Sequence, residues 1–81
     1  MSDQSNPSRQ AIDVYKLEAT RLLTEDQTAA ILQVSAGTLS VWRSTGRYNL
    51  PFVKIGRKVR YRAGDLRQFM ESRLKTHTGQ A

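Results

Sequence analysis

The chain of 81 residues contains no cysteine. Disulfides are excluded, and thiolate metal sites with them. Histidine occurs once, as His77 near the C-terminus, which provides neither a metal set nor a placed general base. Glycine is sparse and never clustered. Gly46, Gly56 and Gly64 stand singly at a helix cap, a turn and a helix start, so there is no glycine-rich phosphate loop. Asp65 resembles half of a carboxylate pair, but it falls in the first turn of a helix, where the helix dipole accounts for it. These absences leave no catalytic residues, no cofactor and no metal to assign, and the chain reads as a non-enzyme. No apolar run approaches the ~18 residues of a membrane span. The opening Met1-Ser2-Asp3-Gln4-Ser5-Asn6-Pro7 lacks the apolar stretch of a signal peptide, so a cytoplasmic location is expected.

Acidic residues are also scarce. There are 7 Asp and Glu against 13 Lys and Arg, a net charge of +6. A chain this short builds one domain with a modest core. Its charge favours a polyanionic partner, either nucleic acid or an anionic membrane surface.

Local pattern supplies the elements. Residues 1–10 are polar and expected to be disordered. From Ala11 to Arg21 the residues Ile12, Tyr15, Ala19 and Leu22 fall near helical spacing, which allows a short helix. Thr24 and Gln27 read as a capping box, with Glu25 and Asp26 favoured in the following turn. The spacing predicts a helix over Glu25–Leu32 with Ala29 and Leu32 inward, then a tight turn at Gln33-Val34. Ser35 is a good N-cap for a second helix over Ala36–Thr45, with Leu39 and Trp42 inward and Gly46 as the C-terminal cap. Arg47 to Pro51 is a loop. The alternating runs Phe52–Ile55 and Val59–Arg62, with Gly56-Arg57-Lys58 between them, predict a β-hairpin. Alternation then sets Val53, Ile55, Val59 and Tyr61 on one face, and Lys54, Arg60 and Arg62 on the other. A last helix is expected over Ala63–Lys75, with Leu66, Phe69, Met70 and Leu74 as its apolar stripe. The fold class is mainly α with a two-stranded antiparallel β-hairpin, a winged helix-turn-helix with Trp42 central in its core. Residues 1–21 form an N-terminal extension, 22–75 the domain and 76–81 a flexible tail.

The charge is local. Between Arg43 and Arg62 lie the basic residues Arg43, Arg47, Lys54, Arg57, Lys58, Arg60 and Arg62, with no acid among them. A face tuned only for solubility mixes signs, and this one does not. A membrane-binding segment pairs its basic residues with an exposed apolar face, whereas the apolar residues of the hairpin are needed for the core. Nucleic acid is the better match. The second helix suits a DNA major groove: Ser35, Ala36, Gly37, Thr38, Ser40, Val41 and Ser44 are small or polar and permit close approach to bases and phosphates. Thr38 could equally cap the helix, and Val41 could touch a thymine methyl or be partly buried. Arg43 and Arg47, at its far end, are suited to the phosphate backbone.

The ordered set Leu22-Leu23-Thr24, Ala29, Leu32, Val34-Ser35, Thr38-Leu39, Trp42-Arg43, Gly46, Pro51, Lys54, Gly56-Arg57, Val59-Arg60-Tyr61-Arg62 and Asp65-Leu66 resembles the excisionase and AlpA-type helix-turn-helix family. Members of this family are small relatives of the DNA-binding domain of MerR-type regulators. The resemblance spans roughly residues 22–74 and is most specific from Trp42 to Tyr61. It implies that the helix starting at Ser35 is the recognition helix. The hairpin, with Lys54, Arg57, Lys58, Arg60 and Arg62, is then a wing near phosphates or the minor groove. It further implies an excisionase, a recombination directionality factor, or a small transcriptional regulator of a mobile element, in a bacterial nucleoid or a phage-infected cell. The partners would be double-stranded DNA and an integrase, recombinase or RNA polymerase, with a free monomer binding as cooperative adjacent copies. The alternative is a protein-interaction module that keeps the fold without binding DNA. Gln33 takes a turn position often held by glycine in relatives, which implies a wider or strained turn. The loop Arg47-Tyr48-Asn49-Leu50 exceeds the usual link.

Overall fold

A computed structural model describes residues 12–74. The expectations for residues 1–11 and 75–81 lie outside the described residues. The first strand, β1, covers Leu22–Thr24. Thr24 also caps helix α1, Glu25–Leu32, through a full capping box: Gln27 N donates to Thr24 Oγ1 at 3.0 Å, and Thr24 N to Gln27 Oε1 at 2.9 Å. The helix stops at Gln33, whose backbone is left-handed at φ 60 and ψ 43. This is the strained turn that a non-glycine residue there implies. Helix α2, Ala36–Thr45, starts on Ser35, whose hydroxyl accepts the Thr38 amide at 3.0 Å. It ends on left-handed Gly46, which donates to the Trp42 carbonyl. A short turn, Arg47–Asn49, leads to strands β2, Val53–Ile55, and β3, Lys58–Arg62, and then to helix α3, Ala63–Ser72.

The sheet has three antiparallel strands in the order β1-β3-β2, not the two of a lone hairpin. Leu22, Leu23 and Thr24 pair with Arg62, Tyr61 and Arg60. Three residues are too few to show alternation, and a distant partner leaves no local trace. The hairpin register also departs from expectation. Ile55 pairs with Lys58 across the two-residue turn Gly56-Arg57, so Lys54 opposes Val59 and Val53 opposes Arg60. Paired residues share a face. Val59 and Tyr61 therefore lie with Lys54, while Val53 and Ile55 lie with Lys58, Arg60 and Arg62. A one-residue difference in loop length exchanges the faces of a strand. Ile55 is accordingly 51% exposed, and Tyr61 is buried.

Leu23, Leu39, Tyr61 and Leu66 form the centre of the core, with Val14, Ala29, Leu50 and Ala63 around them. Thr28 is also fully buried, its hydroxyl donating to the Thr24 carbonyl at 2.9 Å. Trp42 is not central. It is half-buried and packs against Tyr48 and Phe69, at ring-centroid distances of 4.8 and 6.1 Å. The last helix ends at Ser72, and Leu74 is exposed rather than part of its stripe.

Among the described residues before Leu22 there is no α-helix of the kind the spacing allows. A single 3-10 turn, Val14–Lys16, is capped by the Asp13 carboxylate and buries Val14 while leaving Tyr15 exposed. The main chain beyond it has another role. Arg62 offers no side-chain cap to α3, so the first amides of that helix need other acceptors. The carbonyls of Arg21 and Ala19 accept from Ala63 N and Gly64 N, each at 2.9 Å, and the Leu17 carbonyl accepts from the Arg67 guanidinium at 3.0 Å.

Candidate nucleic-acid interface

Helix α2 presents two contrasting sides. Leu39 is fully buried and Trp42 lies against the fold, whereas Gly37, Ser40, Val41 and Ser44 are all exposed. These four stand at i, i+3, i+4 and i+7 and form one stripe. Small side chains make the stripe shallow, so another surface could approach the helix backbone closely. Val41 is 56% exposed and supplies the only branched apolar group in the stripe. Ser35 and Thr38 flank its start, their hydroxyl oxygens 3.0 Å apart. The amide of Thr38 is capped by Ser35, so Thr38 is not itself the cap. Ala36 is half-buried beside them. The Ser44 hydroxyl turns back onto the Val41 carbonyl at 3.1 Å.

The basic residues separate into free and engaged groups. Arg47, Lys54, Arg57 and Lys58 are exposed and form no ion pair among the described residues. The Arg47 guanidinium lies 5.1 Å from the Tyr48 ring centroid. Arg60 is half-buried and donates to the Val59 carbonyl at 2.8 Å. Arg62 reaches Asp65 through Nε at 2.9 Å. Arg43 is the most engaged. One of its terminal nitrogens donates both to Glu25 on α1 and, at 3.0 Å, to the Tyr61 hydroxyl on β3. Burial lowers the pKa of Arg43, but the bonds to Glu25 and Tyr61 outweigh it and hold the value above that of an ordinary guanidinium. Burial raises the Tyr61 phenol, and the Arg43 hydrogen bond only partly offsets this. An open groove between the end of α2 and the hairpin is lined by Trp42, Arg43, Arg47, Phe52 and Tyr61.

The family model described as "Helix-turn-helix domain" matches residues 22–74, more than half of the chain. The chain belongs to that family. It is the AlpA and excisionase type of helix-turn-helix domain, a DNA-binding family and not a family of enzymes. No curated protein and no solved structure matches the chain. The match begins with β1 and ends just after α3, and the three helices and small sheet between are compatible with a winged helix-turn-helix. In this helix-turn-helix domain α1, the left-handed Gln33 turn and α2 are the helix pair, and the β2–β3 hairpin is in the position of a wing. No group of three or more His, Cys, Asp or Glu that could hold a metal occurs among the described residues, and no helix there is long and apolar enough to cross a membrane.

Sequence reasoning missed two residues of this region, Glu25 and Tyr61. Glu25 reads locally as a dipole-favoured residue, and Tyr61 as an alternating strand residue. Their joint bond to Arg43 depends on tertiary placement and has no signal in local spacing.

Proposed function

We propose that this helix-turn-helix domain binds double-stranded DNA at selected sites, with α2 in the major groove and the hairpin on the phosphates. The observation carrying this reading is the shallow exposed stripe Gly37-Ser40-Val41-Ser44 in the same small domain as a hairpin whose exposed Lys54, Arg57 and Lys58 form no ion pair among the described residues. Ser40 and Ser44 hydroxyls can bond base edges or phosphates, and Val41 can touch a thymine methyl. Ser35, Ala36 and Thr38 bring the helix N-terminus, with its partial positive charge, toward a phosphate. Arg47, Lys54, Arg57 and Lys58 grip the backbone, while Arg60 and Arg62 stay engaged with the Val59 carbonyl and Asp65.

The biological role proposed is architectural. The domain acts as an excisionase or recombination directionality factor, or as a small transcriptional regulator of a mobile element, recruiting or excluding an integrase or RNA polymerase. One such module buries only about 600–1,000 Å² on DNA, a thin basis for selecting one genomic site. Free monomers binding as adjacent copies would remedy this. The experiment is selection of duplexes from a random pool, followed by titration of fragments carrying one selected site or several. A steeper curve on the multi-site fragment, from a protein that sediments as a monomer, supports the reading. Failure to enrich any sequence defeats it and favours a protein-interaction module.

A further inference from the structure

We infer that Arg43 is a positioning residue, which sets the recognition helix against the wing and does not itself touch DNA. The inference rests on the DNA-binding reading above. Arg43 lies in the last turn of α2, where its sequence position suggests a phosphate contact. Its surroundings assign it otherwise. The side chain is only 19% exposed, and that of its partner Glu25 is 27% exposed. It joins three other parts of the fold: Glu25 in the first turn of α1, the Tyr61 hydroxyl on β3 at 3.0 Å, and the Phe52 ring leading into β2, whose centroid is 5.7 Å from the guanidinium carbon.

The anchor on β3 is buried and strand-paired. Tyr61 is 1% exposed and is the middle pairing partner of β1, opposite Leu23. A planar guanidinium with several fixed donors suits such a joint. If Arg43 turned outward to a phosphate, the Glu25 carboxylate would be left partly buried without its cation, which is unfavourable. The wing and α2 are therefore held at a set angle before DNA arrives. Pre-organisation of this kind improves binding by removing an ordering cost rather than by adding a contact. The exposed Arg57 and Lys58 have no such ties among the described residues and remain the phosphate-binding candidates.

The test compares Tyr61→Phe, Arg43→Lys and Arg43→Met with the wild type. All are first shown by circular dichroism to be folded at the assay temperature. Tyr61→Phe removes the strand link alone and stands in should Arg43→Met fail to fold. Binding is measured by anisotropy over a salt series, on a duplex that the wild type enriches from a random pool and on an unselected duplex. Hydroxyl-radical footprints are taken on the former. Tyr61→Phe and Arg43→Lys are expected to lose about tenfold on the enriched duplex, comparable to one mismatched base pair, and much less on the unselected one. Wing protection should fade or spread while helix protection persists. Arg43→Met should keep the wild-type salt slope. A slope shallower by about 0.9 in Arg43→Met, with Arg43→Lys near wild type, would make Arg43 a phosphate contact and overturn the inference. Parallel losses on both duplexes with an unchanged footprint pattern would also overturn it, leaving Arg43 as fold support only. If the wild type itself enriches no sequence, the DNA-binding reading falls and the inference with it.

Discussion

Salt dependence offers a magnitude that follows from the proposed phosphate contacts. The sequence places seven basic residues between Arg43 and Arg62. Counting all of them as phosphate ligands overstates the interface. Arg43 is tied to Glu25 and Tyr61, Arg62 to Asp65, and half-buried Arg60 to a carbonyl. Four exposed cations remain without an ion pair among the described residues: Arg47, Lys54, Arg57 and Lys58. At about −0.9 per neutralised phosphate, log affinity should fall against log salt with a slope of about −3.6. That is about a 150-fold loss between about 50 and 200 mM salt. The double variant Arg57→Ala/Lys58→Ala removes half of the set. Its slope should be about −1.8, and the loss over the same range about 12-fold. Anisotropy of a labelled duplex at four or more salt concentrations measures both. A wild-type slope near −1, or a double variant with the wild-type slope, would refute the assignment of these cations to the interface.

Three further outcomes follow from particular residues. Gly64→Ala should destabilise the fold by about 1–3 kcal/mol in urea denaturation, because a Cβ there would meet the Ala19 Cβ at 2.8 Å; unchanged stability would mean that the segment before β1 does not pack on α3. Gln33→Gly should stabilise by about 0.5–1 kcal/mol, the relief of a left-handed side chain less the added freedom of glycine in the unfolded chain; a destabilised variant would contradict the φ of 60. Tyr61 has a raised folded-state pKa, so its contribution to stability is present below its unfolded value near about pH 10 and is lost as pH rises through the folded value. Wild-type stability should therefore drop more steeply than that of Tyr61→Phe from about pH 9 to pH 11, and parallel curves would refute the burial of that phenol.

Much of the fold is legible locally. The capping box of Thr24 and Gln27, the Ser35 cap and the Gly46 stop are short-range chemistry, and they bound α1 and α2 at the expected residues. The hairpin is legible as alternation, but its register is not. The sequence reading takes Gly56-Arg57-Lys58 as the turn, whereas Ile55 pairs with Lys58 across Gly56-Arg57, and that one residue moves Val53 and Ile55 from the inner to the outer face. Strand β1 and the capping of α3 by the Ala19 and Arg21 carbonyls depend on partners far along the chain and leave no periodic mark. The same limit applies to the candidate site. Small residues on one side of α2 can be read from spacing, because Leu39 fixes the helix phase. Which arginines are free cannot, because Arg43 meets Glu25 and Tyr61 only once the helices have packed.

In the proposed mode of binding the exposed side of α2 reads DNA while the wing holds it. Ser40 tests this most directly, since its side chain is exposed at the middle of the stripe. Ser40→Glu sets a negative charge against the groove without disturbing the core. On the duplex enriched by the wild type, its affinity should fall by about 100-fold or more, the effect of a like charge costing several kcal/mol. Its thermal midpoint should stay within about 3 °C of the wild type, as for a surface change of about 0.5 kcal/mol. A folded Ser40→Glu protein that binds the enriched duplex as tightly as the wild type would contradict the account, because α2 could not then lie in the groove by that face.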